Sequence, residues 1–196
     1  MATEESSIDR VDDVVVRQFA RAAVLAALIG ASVLVTIPVP IAGAPPITLQ
    51  VLFVFLAGLV LGPVWGAASL VLYLVAGGVG VPVFAGMNSG LGVLIGYSGG
   101  YLWSYPVAAA LIGAIVHRGT TLRDLRDVSL PVIVSALVVA TLVIYSMGAA
   151  YMAWVLDMGA WEAVTAGVLP FIPGEILKMA AAVAIVRSGR ITPVRS

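Results

Sequence analysis

Two ionisable residues, Glu175 and Lys178, lie three positions apart in the apolar stretch LPFIPGEILKM. Residues at this spacing share one face of a helix, so the carboxylate and the ammonium can meet each other or a common ligand. A charge at the centre of a membrane helix costs about 2.5 to 3.5 kcal/mol on insertion scales, and a partner or a polar cavity must offset that cost. The pair is either an ion pair that locks neighbouring helices or part of a binding site, and ionisable residues inside a membrane favour the binding site.

The composition indicates that this pair lies in a membrane. Of the 196 residues, 61% are hydrophobic and 10% are charged, whereas a soluble domain is about 25% charged. The ten basic and ten acidic residues cancel, so net charge predicts no nucleic-acid partner. The chain has no cysteine and a single histidine, His117, which excludes thiol catalysis and a histidine metal cluster. We expect no metal site, no cofactor and a lipid bilayer around the chain.

Breaks rich in Pro and Gly divide the apolar sequence into candidate helices. No Asp, Glu, Lys or Arg occurs between Arg21 and Arg118, a stretch far longer than the roughly 20 residues of one crossing. Breaks at 38–46, 62–63 and 82–100 separate four segments, and the basic loop after Arg118 precedes two more. The predicted helices lie near 18–37, 47–62, 65–82, 98–117, 129–156 and 167–187. We therefore predict an all-α integral membrane protein with six transmembrane helices, a cytoplasmic arm over 1–17, a membrane domain over 18–187 and a cytoplasmic tail over 188–196.

The distribution of basic residues predicts the orientation. Six crossings place both termini and the 118–127 loop on one side, and that side then holds every basic residue except Lys178. The positive-inside rule makes this side cytoplasmic, so we expect an N-in, C-in, multi-pass protein of the cell membrane. The outer segments are 38–46, 83–97 and 153–166, the last of which carries Trp154 and Trp161, an expected interfacial belt.

The depth of the charged pair and the broken helix before it favour an outward pocket. Lys178 precedes Arg187 by nine residues, which places it about 13 Å above the inner boundary of a core about 30 Å thick. Pro170, Pro173 and Gly174 interrupt the chain before Glu175, and irregular backbone at this depth occurs where it is buried in protein or lines a wet cavity. The outer loops and helix ends add candidate ligand groups: Phe84, Asn88, Tyr97, Tyr101 and Tyr151. For the aromatic residues the alternative is interfacial anchoring, and for Asn88 it is a turn.

The motifs PITLQ, LAGLVLGP, GVPVFAG and GGYL within residues 46–102, followed by PFIPGEILKM at 170–179, occur in an order and spacing that resemble the BioY family. That family comprises biotin-binding S components of energy-coupling-factor (ECF) transporters. The resemblance implies a six-helix S-component-like fold that captures biotin from outside with high affinity, with Glu175, Lys178 and Asn88 as ligand contacts. Two departures are visible: the family commonly has aspartate at the position of Glu175, and GPTGGY where this chain reads GYSGGY.

The chain has no P-loop motif, so it cannot hydrolyse ATP by that route. The resemblance implies partners that do: a transmembrane coupling subunit with two ATP-binding-cassette ATPases. Helix one offers small faces through Ala22 and Ala26, and through Ala23 and Ala27, on which a partner helix can approach closely. Similarity to S components, which dock through an A-x-x-x-A face of helix one, favours this use, although packing inside the molecule explains the pattern equally well.

Parts of the sequence are also compatible with two other functions, a serine hydrolase and a proton-coupled carrier. GYSGG at 96–100 matches the G-x-S-x-G nucleophile pattern, which requires a strand-to-helix elbow and a nearby base. Ser98 and His117 stand at opposite ends of one predicted helix, about 28 Å apart, so we predict no enzyme and no catalytic residue. A stand-alone proton-coupled carrier of a small carboxylate or vitamin is the alternative function, with Glu175 as its proton site. The sequence shows no clear inverted repeat of the kind such carriers often contain.

Overall fold

The computed structural model describes residues 5–41 and 44–189, with side chains from residue 13 onward. Within that part of the chain the fold is helical apart from a two-stranded ladder. The first four residues of the expected arm and the expected tail from residue 190 lie outside the described residues. The α-helices are α1 (Glu5–Ala31), α2 (Gln50–Gly78), α3 (Leu91–Ile95), α4 (Gly99–His117), α5 (Leu130–Leu156), α6 (Ala160–Gly167) and α7 (Ile172–Arg187), and the strands are β1 (Thr36–Ile37) and β2 (Ile47–Thr48). Single 3-10 turns occupy Ser32–Leu34, Ala85–Met87 and Leu169–Phe171.

Five described stretches are long and apolar enough to cross a membrane: Asp13–Leu34, Gln50–Gly78, Gly99–His117, Leu130–Leu156 and Ala160–Arg187. The fourth and fifth predicted helices, at 98–117 and 129–156, match α4 and α5 to within a residue. Of the five stretches, the one formed by α4 has the largest share of buried residues, 61% of an apolar 18-residue part, against 22% in the first and last stretches. Helix α4 is therefore the central helix, packed between α2 and α5.

Helix α2 folds back on itself at Gly62. Gly62 has φ of 75° and ψ of −170°, a conformation outside the helical region, and Pro63 follows it. The amide of Gln50 donates a hydrogen bond to the hydroxyl of Tyr73, whereas 23 residues of straight helix would hold these positions about 35 Å apart. A Cβ added at Gly66 would meet the backbone of Ala57 and Gly58. The halves 50–61 and 63–78 therefore run antiparallel, and the break predicted at 62–63 agrees with the structure.

The fold-back leaves a backbone carbonyl that His117 satisfies. Pro63 lacks the N–H that would bond to the carbonyl of Leu59 in a continuous helix. The Nε2 of His117 lies 2.9 Å from that oxygen, and the backbone N–H of Arg123 donates to Nδ1 of the same ring at 3.1 Å. Because Nδ1 accepts, the proton of the neutral imidazole is on Nε2. His117 thus joins the turn of α2 to the end of α4 and to the loop that follows α4.

The first predicted helix is wrong at its C-terminal end. It was expected to reach residue 37, but α1 ends at Ala31 and a 3-10 turn leads into β1. Strand β1 pairs with β2 in an antiparallel ladder, with Thr36 opposite Thr48 and Ile37 opposite Ile47. This hairpin places 44–46 beside the opening of the cavity described below. Four prolines in its loop favour extended and turn conformations, so a helix between the strands is disfavoured.

The broken start of the last helix agrees with the prediction. A 3-10 turn at Leu169–Phe171 precedes α7, and Pro173 lies in the first turn of that helix. Proline is tolerated there because the first N–H groups of a helix have no partner within it. Glu175 follows in the same first turn, so α7 presents its carboxylate at an irregular, buried helix start. The segment 153–166, which the sequence predicts to lie on the outer side, contains the end of α5 and most of α6.

Candidate functional site

A cavity of about 610 Å³ opens among the hairpin, the loop after α2, the start of α4, the middle of α5 and the start of α7. Its volume lies within the roughly 300 to 1,000 Å³ typical of small-molecule sites. Its wall is mainly aromatic, aliphatic and small. The lining comprises Thr36, Pro38, Pro45, Pro46, Thr48, Gln50, Val51, Phe84, Ala85, Gly86, Asn88, Gly92, Val93, Gly96, Tyr97, Ser98, Tyr101, Leu102, Tyr105, Ile144, Tyr145, Phe171, Glu175 and Lys178.

Glu175 and Lys178 form a buried ion pair in this wall. The ammonium Nζ of Lys178 lies 2.5 Å from Oε1 of Glu175, and the two side chains are 8% and 3% exposed. The hydroxyl of Tyr145 on α5 donates to the same Oε1 at 2.9 Å. The other oxygen, Oε2, is buried without a hydrogen-bond partner among the described residues. Since buried carboxylate oxygens are nearly always hydrogen-bonded, Oε2 lacks a donor that its burial would lead one to expect.

Aromatic rings surround the charged pair. Tyr145 makes edge contacts with Tyr101, at a ring-centroid distance of 6.1 Å, and a tilted contact with Phe171 at 6.0 Å. The hydroxyl of Tyr101 donates to the carbonyl of Gly167 at 2.9 Å, which ties α4 to the C-terminal end of α6. These contacts hold the segment 167–171 that leads into α7, and they give the cavity a rigid apolar wall.

A second hydrogen-bonded cluster supports another part of the wall. The hydroxyl of Thr48 donates to Oε1 of Gln50 at 3.1 Å, while Nε2 of Gln50 donates to Tyr73. Tyr73 stacks edge-on against Phe84 at 5.6 Å, and Phe84 also lies against Gly77, where a Cβ would overlap its ring. Tyr73 therefore connects the start of α2 to the loop that follows its second half.

The loop containing Asn88 forms a tight turn at the cavity. Phe84 and Asn88 exchange two backbone hydrogen bonds, of 3.0 and 3.2 Å, across residues 85–87. The Asn88 side chain donates from Nδ2 to the carbonyl of Ala85 at 2.7 Å. Gly86 and Met87 have φ of 70° and 61°, so the turn uses two successive left-handed residues. Asn88 thus shapes the turn and lines the cavity at the same time.

The structure brings together six of the seven side chains that the sequence nominated for ligand binding: Phe84, Asn88, Tyr97, Tyr101, Glu175 and Lys178 all line the cavity. Tyr151 does not line it. Its hydroxyl donates to the carbonyl of Ile95 at 3.2 Å and its ring packs beside Trp154. Tyr151 lies behind α3, the short helix whose residues Gly92 and Val93 form part of the wall.

The four alanines nominated on helix one fall on different faces. Ala22 is fully buried and Ala26 packs against the core. Ala23 and Ala27 are exposed, as are Ala20 and Ala31 along the same side of α1. Only the second pair is accessible to a partner helix.

Sequence reasoning missed Gln50, Tyr105, Tyr145 and Phe171 as cavity residues. Two signals were present. Tyr105 and Tyr145 stand within long apolar helices rather than at their ends, where an interfacial belt places tyrosine. Gln50 is an amide in a charge-free stretch, and a buried amide needs hydrogen-bond partners. For Phe171 no local signal was available.

The chain matches known proteins over nearly its whole length. The model of the BioY family matches residues 3–193. A probable biotin transporter BioY from Pyrococcus horikoshii is 40% identical over 157 residues, which span 80% of this chain and 85% of that protein. A biotin transporter BioY from Thermotoga maritima is 32% identical over 172 residues, which span 86% and 93%.

A solved structure has a similar fold. The crystal structure of an S-component for biotin from an ECF-type ABC transporter superposes with a TM-score of 0.78. That chain is 26% identical to this one, and the match covers 91% of this chain and 93% of the other. The five apolar stretches, the match to a transporter family and the match to this solved structure together indicate a multi-pass membrane protein.

Proposed function

Because this chain belongs to the BioY family, we propose that it is the biotin-binding S component of an ECF-type uptake transporter of the plasma membrane. The observation that carries the proposal is the buried pair of Glu175 and Lys178 in the cavity wall, with Oε2 of the carboxylate left without a partner. An unpartnered carboxylate oxygen beside an ammonium offers both an acceptor and donors to one ligand.

The chemistry of biotin suits these groups. Its ureido ring presents N–H donors and one carbonyl acceptor, which match Oε2 of Glu175 and the remaining N–H groups of Lys178. The apolar thiophane ring suits the walls formed by Phe84, Tyr101 and Tyr145. The valerate carboxylate is repelled by Glu175, so we place it toward the hydroxyl group of Ser98, because the hydroxyl groups of Thr36 and Thr48 already donate to Val33 and Gln50. In this arrangement Asn88 and Tyr97 contact the ligand from the loop side, whereas Tyr151 lies outside the cavity.

We propose six crossings with both termini in the cytoplasm. The halves of α2, 50–61 and 63–78, then count as two crossings. Their helical lengths are about 18 and 24 Å, and the residues that flank their outer ends lengthen each crossing. The antiparallel arrangement of these halves supports this count. Arg187 donates to the backbone carbonyls of Arg126 and Val128, in the loop that begins at Arg118, so these arginines lie at one end of the bundle, which supports the orientation.

The proposed partners are an ECF transmembrane coupling subunit and two ATP-binding-cassette ATPases, which would supply the energy for import. The accessible stripe of Ala23 and Ala27 on α1 supports docking on the coupling subunit, because small side chains allow two helices to approach closely. We propose transport rather than catalysis. His117, the base that a Ser98 nucleophile would need, is engaged with Leu59 and Arg123 at the other end of α4.

Calorimetric titration of the purified protein tests the proposal. Biotin should bind tightly, dethiobiotin more weakly and an unrelated vitamin not at all. Lys178→Ala should remove the high-affinity isotherm, whereas Tyr151→Phe, which removes one hydroxyl outside the cavity, should leave it unchanged. Absence of biotin binding by the wild type would refute the function, and biotin uptake that persists without any ATPase and collapses with the proton gradient would favour the carrier instead.

A further inference from the structure

The two oxygens of the Glu175 carboxylate differ in their hydrogen bonds to the protein. Oε1 receives the Tyr145 hydroxyl at 2.9 Å and the Lys178 ammonium at 2.5 Å. Oε2 is buried and receives no donor. Two donors on one oxygen and none on the other is a costly distribution for a residue that is 3% exposed. The cost is explained if the empty oxygen has a donor when the ligand is bound.

Tyr145 is held rigidly enough to impose this distribution. Its ring packs between Tyr101 and Phe171. Tyr101 is itself wedged against Gly148 and Gly167, where any Cβ would overlap it. Phe171 directly precedes α7. The hydroxyl of Tyr145 therefore approaches Glu175 from a fixed direction on a different helix.

Lys178 alone does not impose the same distribution. It lies on the same helix as Glu175, three residues away, and its ammonium is carried by a flexible chain of four methylenes. A carboxylate with only this partner can rotate until both oxygens share the ammonium. Oε2 would then turn away from the ligand.

We propose that Tyr145 is a positioning residue that assigns Oε1 of Glu175 to the protein and reserves Oε2 for an N–H donor of the ligand. Tyr145 thereby determines that the site offers the ligand a hydrogen-bond acceptor at this oxygen. This inference rests on the proposed function, in which the donor is the ureido N–H of biotin. The Tyr145 ring forms part of the cavity wall, and the proposal gives its hydroxyl a separate role in ligand selection.

Paired titrations with two ligands test the proposal. Wild type, Tyr145→Phe and the control Tyr151→Phe are each titrated with biotin and with 2-iminobiotin, whose ureido carbonyl is replaced by an imine that is protonated at neutral pH. Tyr145→Phe should weaken biotin binding by about ten- to a hundredfold, as expected for one hydrogen bond to a charged group. It should weaken the cationic analogue less, because a carboxylate that has lost a donor attracts a cation more strongly. Tyr151→Phe should change neither affinity.

The ratio of the two affinities decides the outcome even if Tyr145→Phe is less stable. A folding defect reduces the competent fraction and lowers both affinities by the same factor. An equal loss for both ligands, or unchanged biotin affinity, would overturn the positioning role while the proposed function stands. Failure of the wild type to bind biotin would refute the proposed function first, and the positioning role with it.

Discussion

The Nε2 atom of His117 lies 2.9 Å from the carbonyl oxygen of Leu59, the group that Pro63 leaves without a helical partner. His117 is 3% exposed, and its second nitrogen accepts from the backbone of Arg123. One side chain therefore satisfies two backbone groups of different segments, at the point where α2 reverses. The fold-back that shapes the bundle depends on a residue 58 positions away along the chain.

His117→Ala should destabilise the protein by about 1 to 3 kcal/mol, because it leaves the buried carbonyl of Leu59 and the half-buried N–H of Arg123 without partners. Thermal unfolding in detergent measures this as a lower Tm. The neighbouring exposed Arg118 provides the matched control, and Arg118→Ala should change Tm little. Equal Tm values for His117→Ala and wild type would show that the turn does not need this ring.

Gly62→Ala should also destabilise the protein. At φ of 75° and ψ of −170° the backbone lies in a region that is almost restricted to glycine, and forcing another residue there costs about 1 to 3 kcal/mol. The added methyl group would in addition meet the Leu122 side chain. Gly159→Ala is the control, because Gly159 has φ of −63° and open space around it. Comparable unfolding curves for the two variants would contradict this account of the turn.

The ion pair of Glu175 and Lys178 should matter more for binding than for stability. Lys178→Ala alone leaves a buried carboxylate unpaired, and removal of one partner from a buried pair typically costs about 3 to 5 kcal/mol. The double variant Glu175→Leu with Lys178→Met removes both charges and should recover most of that stability while biotin binding stays abolished. Loss of stability in the double variant equal to that of Lys178→Ala would instead favour a structural ion pair.

Ala23→Trp should block assembly with the coupling module while leaving biotin affinity unchanged, because Ala23 lies on the exposed side of α1 and outside the cavity. Co-purification with the coupling subunit and ATPases, together with calorimetry, measures both properties. Val138→Trp places the same bulk on an exposed position of α5 and is the control. Ala22→Trp, at a fully buried position, should reduce stability instead. Normal assembly by Ala23→Trp would exclude this stripe as the docking face.

Local features of the sequence predicted much of the architecture. The limits of α4 and α5, the reversal at Gly62 and the broken start of α7 all follow from hydrophobic runs and from the positions of Pro and Gly. The motifs of 46–102 and 170–179 predicted membership of the BioY family, which is confirmed. The hairpin at 36–48 was not predicted, because strands of two residues are too short for a periodic pattern.

The sequence by itself determined that the chain spans a membrane, where most helices break, and that Glu175 and Lys178 share one helix face, since hydropathy and helical spacing are local properties. Only the tertiary structure decided which side chains meet that pair. Lipid-facing and protein-facing positions are equally apolar in a membrane helix, so helix rotation cannot be read from hydrophobicity. The packed bundle brings Tyr145 onto Glu175 and Gln50 onto Tyr73, buries Ala22 while exposing Ala23, and keeps Tyr151 outside the cavity.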